Sequence, residues 1–484
     1  MFLDAIHRRV IDDPHGIALR TQTRAISNAA LWDEMTSLAA WLLRQGLVPG
    51  DAVGISIKDE YKHLLASLGA MLAGLPQIAL PTHDPSEART EIARRLRIAA
   101  VLAEGPDSIL NGFTTLALDF EYRATTDDPG WDFSARPAGD VCLYAASSGT
   151  TGKAKIIPLT GAQLLHQSLT AHRLPERAVL YRPASIEFNN SKRHRLYSLA
   201  SGGTNILLQA APTDVAEICR RFGVTQLLVS VAQAKRLLDL KESDARLPEQ
   251  TEIQLRGSPV DDEMRKAITT HITRRLVVGY GATEFGSIAS ALPEDHAGHP
   301  STVGWPHRGV EMEIVDDDDR RIATGRIGRV RVHGAGMATH YYDDEQATAS
   351  AFRGGWFYPG DVGHLGSGGD LRFDGRADDM MVLSSINIFP AEIERVAETL
   401  HGVKECAAFS IKSAGFGDIP LLAVVNDGST TANEVLAEAR NALGLRAPRR
   451  VFFVGSLPRN AEGKVVRSEL RRLFEQRNGS RAVA

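Results

Sequence analysis

The sequence predicts an α/β protein, with a large N-terminal α/β domain that carries a β-rich subdomain and a small C-terminal α+β domain. Three observations predict it. Short apolar runs alternate with amphipathic runs up to the segment RLVVGYG at 275–281. Near residue 310 the texture changes to brief β-like segments joined by turns. After GRADDMMVLSSINIFPAEIE a new block of alternating elements begins, which sets the boundary between 376 and 377. A chain of 484 residues has room for two or three domains at about 150 residues each.

The elements follow in order. Leu31, Met35, Leu38 and Leu42 recur at helical spacing, and Gly46 with Pro49-Gly50 stops that helix. DAVGISI reads as a strand, 62–74 as a helix, PQIALP as a strand, 86–97 as a helix and AAVLAE as a strand. VCLYAA at 141–146 is an apolar strand that runs into a Ser/Gly/Thr loop, with a helix at 162–171 after it. NILLQA, TQLLVS, TEIQLRG and RLVVGYG read as further strands, interleaved with helices over DVAEICRRFG and around 261–274. GVEMEIVD, GRVRVHG and LRFDG form the β-rich subdomain, about 305–376. The block 377–484 holds a helix at about 390–400, ECAAFSI, LLAVVND, a helix at 432–443 and RVFFVG.

Composition narrows the function. Fifty-five Lys and Arg against 59 Asp and Glu leave a net charge of -4, which removes the whole-chain argument for nucleic-acid binding. Cys142, Cys219 and Cys406 are far apart, odd in number and form no CxxC, the pattern of a reduced, cytoplasmic protein. Charges interrupt MFLDAIHRRVIDDP before a signal-peptide core can form. No run of about 18 uncharged apolar residues offers a membrane span. The 43 glycines fit an enzyme with many tight backbone turns.

Four segments carry the chemistry. YAASSGTTGKAK at 144–155 follows a strand with hydroxyls, glycines and lysines, the donors that a polyphosphate needs. It is not a GxxxxGK[ST] loop, because Gly149 and Gly152 stand only three positions apart. VVGYGATEFGS at 277–287 delivers Tyr280, then Gly281, Thr283 and Glu284 in a tight turn, a hydroxyl and a carboxylate suited to a metal–nucleotide complex. GGWFYPGDVG places Asp361 after a Pro-Gly turn, where an acid suits paired ribose hydroxyls, and Gly375-Arg376 follows. In LPRNAEGKVVRSEL, Lys464 comes after an Asn-x-x-Gly turn; alone it reads as a surface lysine. HAGH at 296–299 lacks metal-ligand spacing, and DDDD at 316–319 reads as a hairpin turn rather than a calcium loop.

Taken together and in this order, the four segments resemble the adenylate-forming superfamily of acyl-CoA synthetases, peptide-synthetase adenylation domains and luciferases. The resemblance covers nearly the whole chain, with motifs from 144 to 470. It implies a multi-layer N-terminal domain, 1–376, and a mobile C-terminal domain, 377–484, turning about a hinge at Asp378. It implies that Ser147, Ser148, Gly149, Thr150, Thr151, Gly152, Lys153 and Lys155 bind the ATP phosphates. Gly257, Ser258 and Pro259 match the adenine-side turn, with Tyr280 and Gly281 beside the base. Thr283 is placed near phosphate and acyl carboxylate, Glu284 on Mg2+, and Asp361 and Arg376 at the ribose. Lys464 matches the catalytic lysine of adenylation.

The implied reaction is ATP-dependent activation of a carboxylic acid to an acyl adenylate, then transfer to a thiol, most readily that of CoA. The phosphopantetheine of an acyl or peptidyl carrier protein is the alternative acceptor, and an acyl-AMP ligase a further alternative. A catalytically silent binding protein of the same fold is the reading from a different class. Three departures from the pattern stand out. Ser385 replaces a usual glycine on the thiol path, Ala154 replaces a usual proline, and RPASIEFNNSKRHRLYSLASGG replaces the usual acyl-pocket segment. Glu187, Phe188, Asn189 and Asn190 in that segment favour a small or polar acid over a long fatty acyl chain. Lys192, Arg193, His194 and Arg195 form a basic cluster, and a helix starting near Asn190 puts Lys192, Arg195 and Leu196 within a turn of one another. The cluster reads either as a polar acyl pocket or a local patch for phosphate or a carrier protein's acidic surface, or as a solvated helix start capped by the asparagines.

Overall fold

The computed structural model describes residues 2–105, 110–118, 139–147, 154–171, 177–209, 211–241, 245–296, 298–299, 301–383, 386–413, 417–460, 463 and 465–478. They divide into two compact units: 1–300 with 304–311 and 332–357, and 301–303 with 312–331 and 358–484.

The first unit is α/β, as the alternation predicts. One sheet runs in the order Thr115–Ala117, Ala100–Ala103, Val53–Ser56, Gln77–Ala79, Val141–Ser147, Lys155–Thr160. The first five strands are parallel and the last is antiparallel. Continuous burial of Val53–Ser56, Gln77–Ala79 and Ala100–Ala103 explains why those strands read as unbroken apolar runs rather than alternating ones. A second sheet runs Gly286–Ala291, Leu276–Ala282, Glu252–Arg256, Gln226–Val229, Val179–Tyr181, Thr204–Ile206, Ile17–Arg20, Ala25–Ser27. Its core gathers Leu227, Ile253, Leu255, Leu276 and Val278 against Val215, Cys219, Met264 and Ile268 from the helices.

Local signals set the helix ends. Asn28–Arg44 begins at Ser27, whose side chain accepts from Ala30 N, and buries Leu31, Met35, Leu38 and Leu42. Asp59 caps Glu60–Ala73 through Lys62 N, and Gly74 in the left-handed region ends it. The strand Lys155–Thr160 is missing from the sequence reading, because KIIPLT follows the Ser/Gly/Thr loop without a turn signal of its own. The helix Val231–Leu238 is likewise unread; a Ser230–Gln233 capping box starts it.

In the second unit, Asp361–Leu365 and Leu371–Arg376 form an antiparallel hairpin. The DDDD run closes a tight turn, with Asp316 N bonded to Arg320 O and the Asp316 carboxylate accepting from the amides of Asp318 and Arg320. A five-stranded sheet runs Ile386–Ile388, Met381–Leu383, Gly417–Asn426, Val403–Ser413, with Arg450–Phe453 parallel to Gly417–Asn426. Pro390–Glu398 and Ala432–Leu443 pack on it around Ile393, Ala408, Leu422 and Val435. Leu470 and Phe474 of Arg467–Asn478, a helix not read in the sequence, close a second cluster with Phe409 and Leu421.

Candidate active site

The central feature of the first unit's site is the turn between Leu276–Ala282 and Gly286–Ala291. Ala282 pairs with Gly286, which leaves Thr283, Glu284 and Phe285 at the tip. A Cβ on Gly281 would lie 2.3 Å from the Gly286 carbonyl oxygen, so the strands can approach this closely only with glycine there. Tyr280, on the strand before the turn, is buried. Arg256 pairs with Gly279 on the neighbouring parallel strand, so Gly257, Ser258 and Pro259 leave the sheet at the same level as Tyr280 and stay exposed.

Three bonds fix this turn. Arg193 Nη1 donates to Thr283 O at 2.8 Å. Ala338 N donates to the backbone oxygen of Glu284 at 2.7 Å. Tyr341 OH donates to Glu284 Oε1 at 2.8 Å, with the Glu284 side chain buried. Behind Arg193 the network continues through Gln167, whose Oε1 accepts from Tyr197 OH at 2.5 Å and whose Nε2 donates to Gly336 O at 2.7 Å.

The strand pair Val141–Ser147 and Lys155–Thr160 places Ser147 opposite Lys155. The intervening Ser148, Gly149, Thr150, Thr151, Gly152 and Lys153 lie outside the described residues. Lys155 Nζ sits over the Tyr341 ring, 4.9 Å from its centroid.

The segment replacing the usual pocket contains a surprise. Asn189–Ala200 is a helix, and every residue from Ser191 to Ala200 is buried. Its cap is Phe188, with no side-chain cap bond, while Asn189 Nδ2 donates to Ala146 O at 2.6 Å. The solvated, asparagine-capped start is therefore corrected, and so is the local basic patch for phosphate or a carrier protein's acidic surface, because its four side chains are buried. Arg195 pairs with Glu60 at 2.5 Å and donates to the backbone oxygens of Arg182 and Ala184. Lys192 Nζ meets Gln77 Oε1 at 2.7 Å, and burial with the neighbouring Arg193 charge pulls its ammonium down to about 7. Burial and the Lys192 charge hold His63 neutral, pulled down to about 3. Glu187 is engaged too, its two oxygens accepting from Thr82 N at 2.6 Å and Thr82 Oγ1 at 3.2 Å. Phe188 stands beside the His83 ring, and Asn190 offers its backbone oxygen to His194.

In the second unit, Asp361 and Arg376 face each other across the hairpin and form an ion pair at 2.9 Å. Arg376 also donates to Pro359 O at 2.6 Å and reaches Asp378 at 3.3 Å. Gly360 has φ +80°, and a Cβ there would meet the Arg376 guanidinium, so the Pro-Gly turn makes room for the arginine. Next to Asp378, Asp379 pairs with Arg467, which also binds Glu394. Lys464 and Ser385 lie outside the described residues. The Asn460–Gly463 turn beside Lys464 is closed by Gly463 N donating to Asn460 O.

His296, in HAGH, is occupied by Arg265 and Leu276 O. Among the described residues no group of three or more His, Cys, Asp or Glu is arranged to hold a metal, and no helix is long and apolar enough to cross a membrane. Sequence reasoning missed Tyr341, Gln167 and the turn-clamping role of Arg193. Tyr341 is 57 residues from Glu284, and no local spacing joins them.

A family model described as AMP-binding enzyme matches residues 6–342, and one described as AMP-binding enzyme C-terminal domain matches 392–464. The long-chain-fatty-acid–CoA ligase of Salmonella typhimurium is 28% identical over 357 residues, covering 69% of this chain but only 62% of that ligase's own length. A 3-[(3aS,4S,7aS)-7a-methyl-1,5-dioxo-octahydro-1H-inden-4-yl]propanoyl:CoA ligase of Mycobacterium tuberculosis is 29% identical over 510 residues, covering 97% of this chain and 98% of the relative. Among solved structures, ATP-bound MatB from Rhodopseudomonas palustris superposes with a TM-score of 0.90 at 25% identity, over 99% of this chain and 100% of that one.

Proposed function

This chain belongs to the AMP-binding enzyme family, as its motifs anticipated, and from that premise we propose that it is an ATP-dependent carboxylic acid–thiol ligase. A substrate carboxylate oxygen attacks the α-phosphorus of ATP, the bond to the β-phosphate oxygen breaks, and pyrophosphate leaves. The thiolate of CoA then attacks the acyl carbon, and AMP departs with the electron pair of the broken C–O bond. The observation that carries this reading is Glu284, held at the tip of a clamped turn with one carboxylate oxygen bonded to Tyr341.

That arrangement suits magnesium. Mg2+ prefers one or two carboxylates plus substrate phosphates and water over an all-protein cage. When bound, the ion would neutralise charge on the phosphates. Ser147, Lys155 and the loop between them are assigned to the phosphates, Gly257, Ser258, Pro259, Tyr280 and Gly281 to the adenine, and Asp361 and Arg376 to the ribose. Thr283 is assigned to the phosphate and acyl carboxylate, Lys464 to charge stabilisation in the first step, and Asp378 to the hinge between steps.

The substrate class proposed is a small or polar acid. Its support is Arg193, a buried cation beside Thr283 that pairs with no carboxylate among the described residues. A buried cation without a counter-carboxylate beside Thr283 disfavours a long hydrocarbon chain and tolerates a polar or anionic acyl group.

A pyrophosphate-release screen over aryl, short-chain, hydroxy, dicarboxylic, amino and long-chain acids tests the proposal. Release with polar acids, and CoA thioester formed in preference to loading of a holo-carrier protein, is the expected result. Binding of ATP without pyrophosphate release for any acid would sink it. Lys464→Ala should abolish adenylation and spare thiolation of supplied acyl-AMP.

A further inference from the structure

We propose that Tyr341 is a positioning residue that keeps Lys155 and Glu284 from neutralising each other, so that the lysine stays available to phosphate and the carboxylate to the metal. The proposal rests on the MgATP reading above. Its basis is one aromatic side chain serving two opposite charges through two different surfaces. The hydroxyl donates to Glu284 Oε1 at 2.8 Å. The ring face carries Lys155 Nζ at 4.9 Å. Among the described residues neither Lys155 nor Glu284 has an ion-pair partner, and Tyr341 contacts the charged group of each.

Lys155 and Glu284 contact opposite ends of one side chain, and partial burial strengthens the attraction that would draw a flexible lysine toward the carboxylate were that side chain absent. The aromatic ring offers the cation an alternative that leaves its three donors unspent. The phenol satisfies one carboxylate oxygen with a neutral donor and so preserves the negative charge that a cation requires.

The ring cannot drift away. Tyr341 N donates to Thr348 Oγ1 at 2.9 Å, and the Phe352 ring packs edge-on at 5.3 Å. Tyr342 N donates to Ile156 O at 2.8 Å, which ties this segment to the strand residue next to Lys155. Tyr341 is therefore fixed to the same strand whose lysine it carries.

The test is calorimetric titration of ATP into the full-length protein without acid substrate, in EDTA and across a MgCl2 series. It compares the wild type with Y341F, Y341L and E284Q. Y341F keeps the ring and loses the hydroxyl. Its apparent magnesium requirement should rise about tenfold, while ATP affinity in EDTA stays within about twofold of the wild type. Y341L loses both surfaces, so ATP affinity in EDTA should also fall, by about tenfold, as Lys155 turns to Glu284. A Y341F magnesium curve that overlays the wild type while that of E284Q shifts would overturn the proposal alone. If wild type and E284Q both bind ATP without regard to magnesium, the metal reading falls and the proposal with it. Y341F decides the matter by itself should Y341L fold poorly.

Discussion

Two helices of the first unit, Asn28–Arg44 and Asn189–Ala200, are held in the fold for opposite reasons, the first burying one face and the second almost its whole length. The first presents Leu31, Met35, Leu38 and Leu42 on one stripe, and simple transfer of apolar surface from water holds it. The second carries Lys192, Arg193, His194 and Arg195 into the interior, where Arg195 depends on the Glu60 carboxylate and the others on neutral acceptors such as Gln77 Oε1, Thr283 O and Asn190 O. Apolar burial tolerates a lost contact in proportion to the volume removed. Ionic burial fails when one partner is taken away.

The largest effect should therefore come from the polar helix. Arg195→Ala leaves Glu60 buried without its guanidinium and should cost about 3–5 kcal/mol. Leu38→Ala, at an equally buried site on the apolar helix, should cost about 3 kcal/mol. Urea unfolding measures both. The discriminating variant is Arg195→Met combined with Glu60→Leu, which should recover at least half of the loss. A double variant no more stable than Arg195→Ala would mean that packing shape, and not the unpaired charge, dominates.

Lys192 sharpens the contrast through pH. Between about 7 and its ordinary value of 10.5 the folded protein holds this amine neutral while the unfolded chain holds it charged. The unfolded state then binds more protons, so this group makes stability rise with pH by about 1.4 kcal/mol per unit in that window. Below pH 7 both states are charged and the full cost of burial is present. Lys192→Met should accordingly raise the melting temperature most at pH 6.5 and progressively less by pH 9. A gap that stays constant over that range would show that Lys192 keeps its proton in the fold.

The same contrast explains what was legible in the sequence. Period and turn chemistry reveal elements driven by apolar burial, so Asn28–Arg44, Gln226–Val229 and Ala432–Leu443 could be read within a few residues. Leu276–Ala282 and its turn were legible because glycine, threonine and glutamate occur together in a recognisable order. Asn189–Ala200 was legible as a helix but not as an interior one, because its burial depends on Glu60 and Gln77, over a hundred residues upstream. Tyr341 was hidden for the same reason. Its partners Glu284 and Lys155 come from different sheets, and no spacing within one segment encodes their meeting.

The smallest effect separates the helices at their first turns. Ser27 accepts from Ala30 N and satisfies one of the amides that every helix start leaves open, so Ser27→Ala should cost about 1 kcal/mol. At the polar helix the cap position is Phe188, which makes no side-chain bond to the helix. Asn190 contributes a backbone oxygen to His194 Nδ1, a bond that alanine preserves. Asn190→Ala should thus change stability by less than about 0.5 kcal/mol, despite the strong preference of asparagine for caps. A loss at Asn190 equal to that at Ser27 would return the asparagines to a capping role. It would also show that local signals hold the polar helix in place as much as its buried partners do.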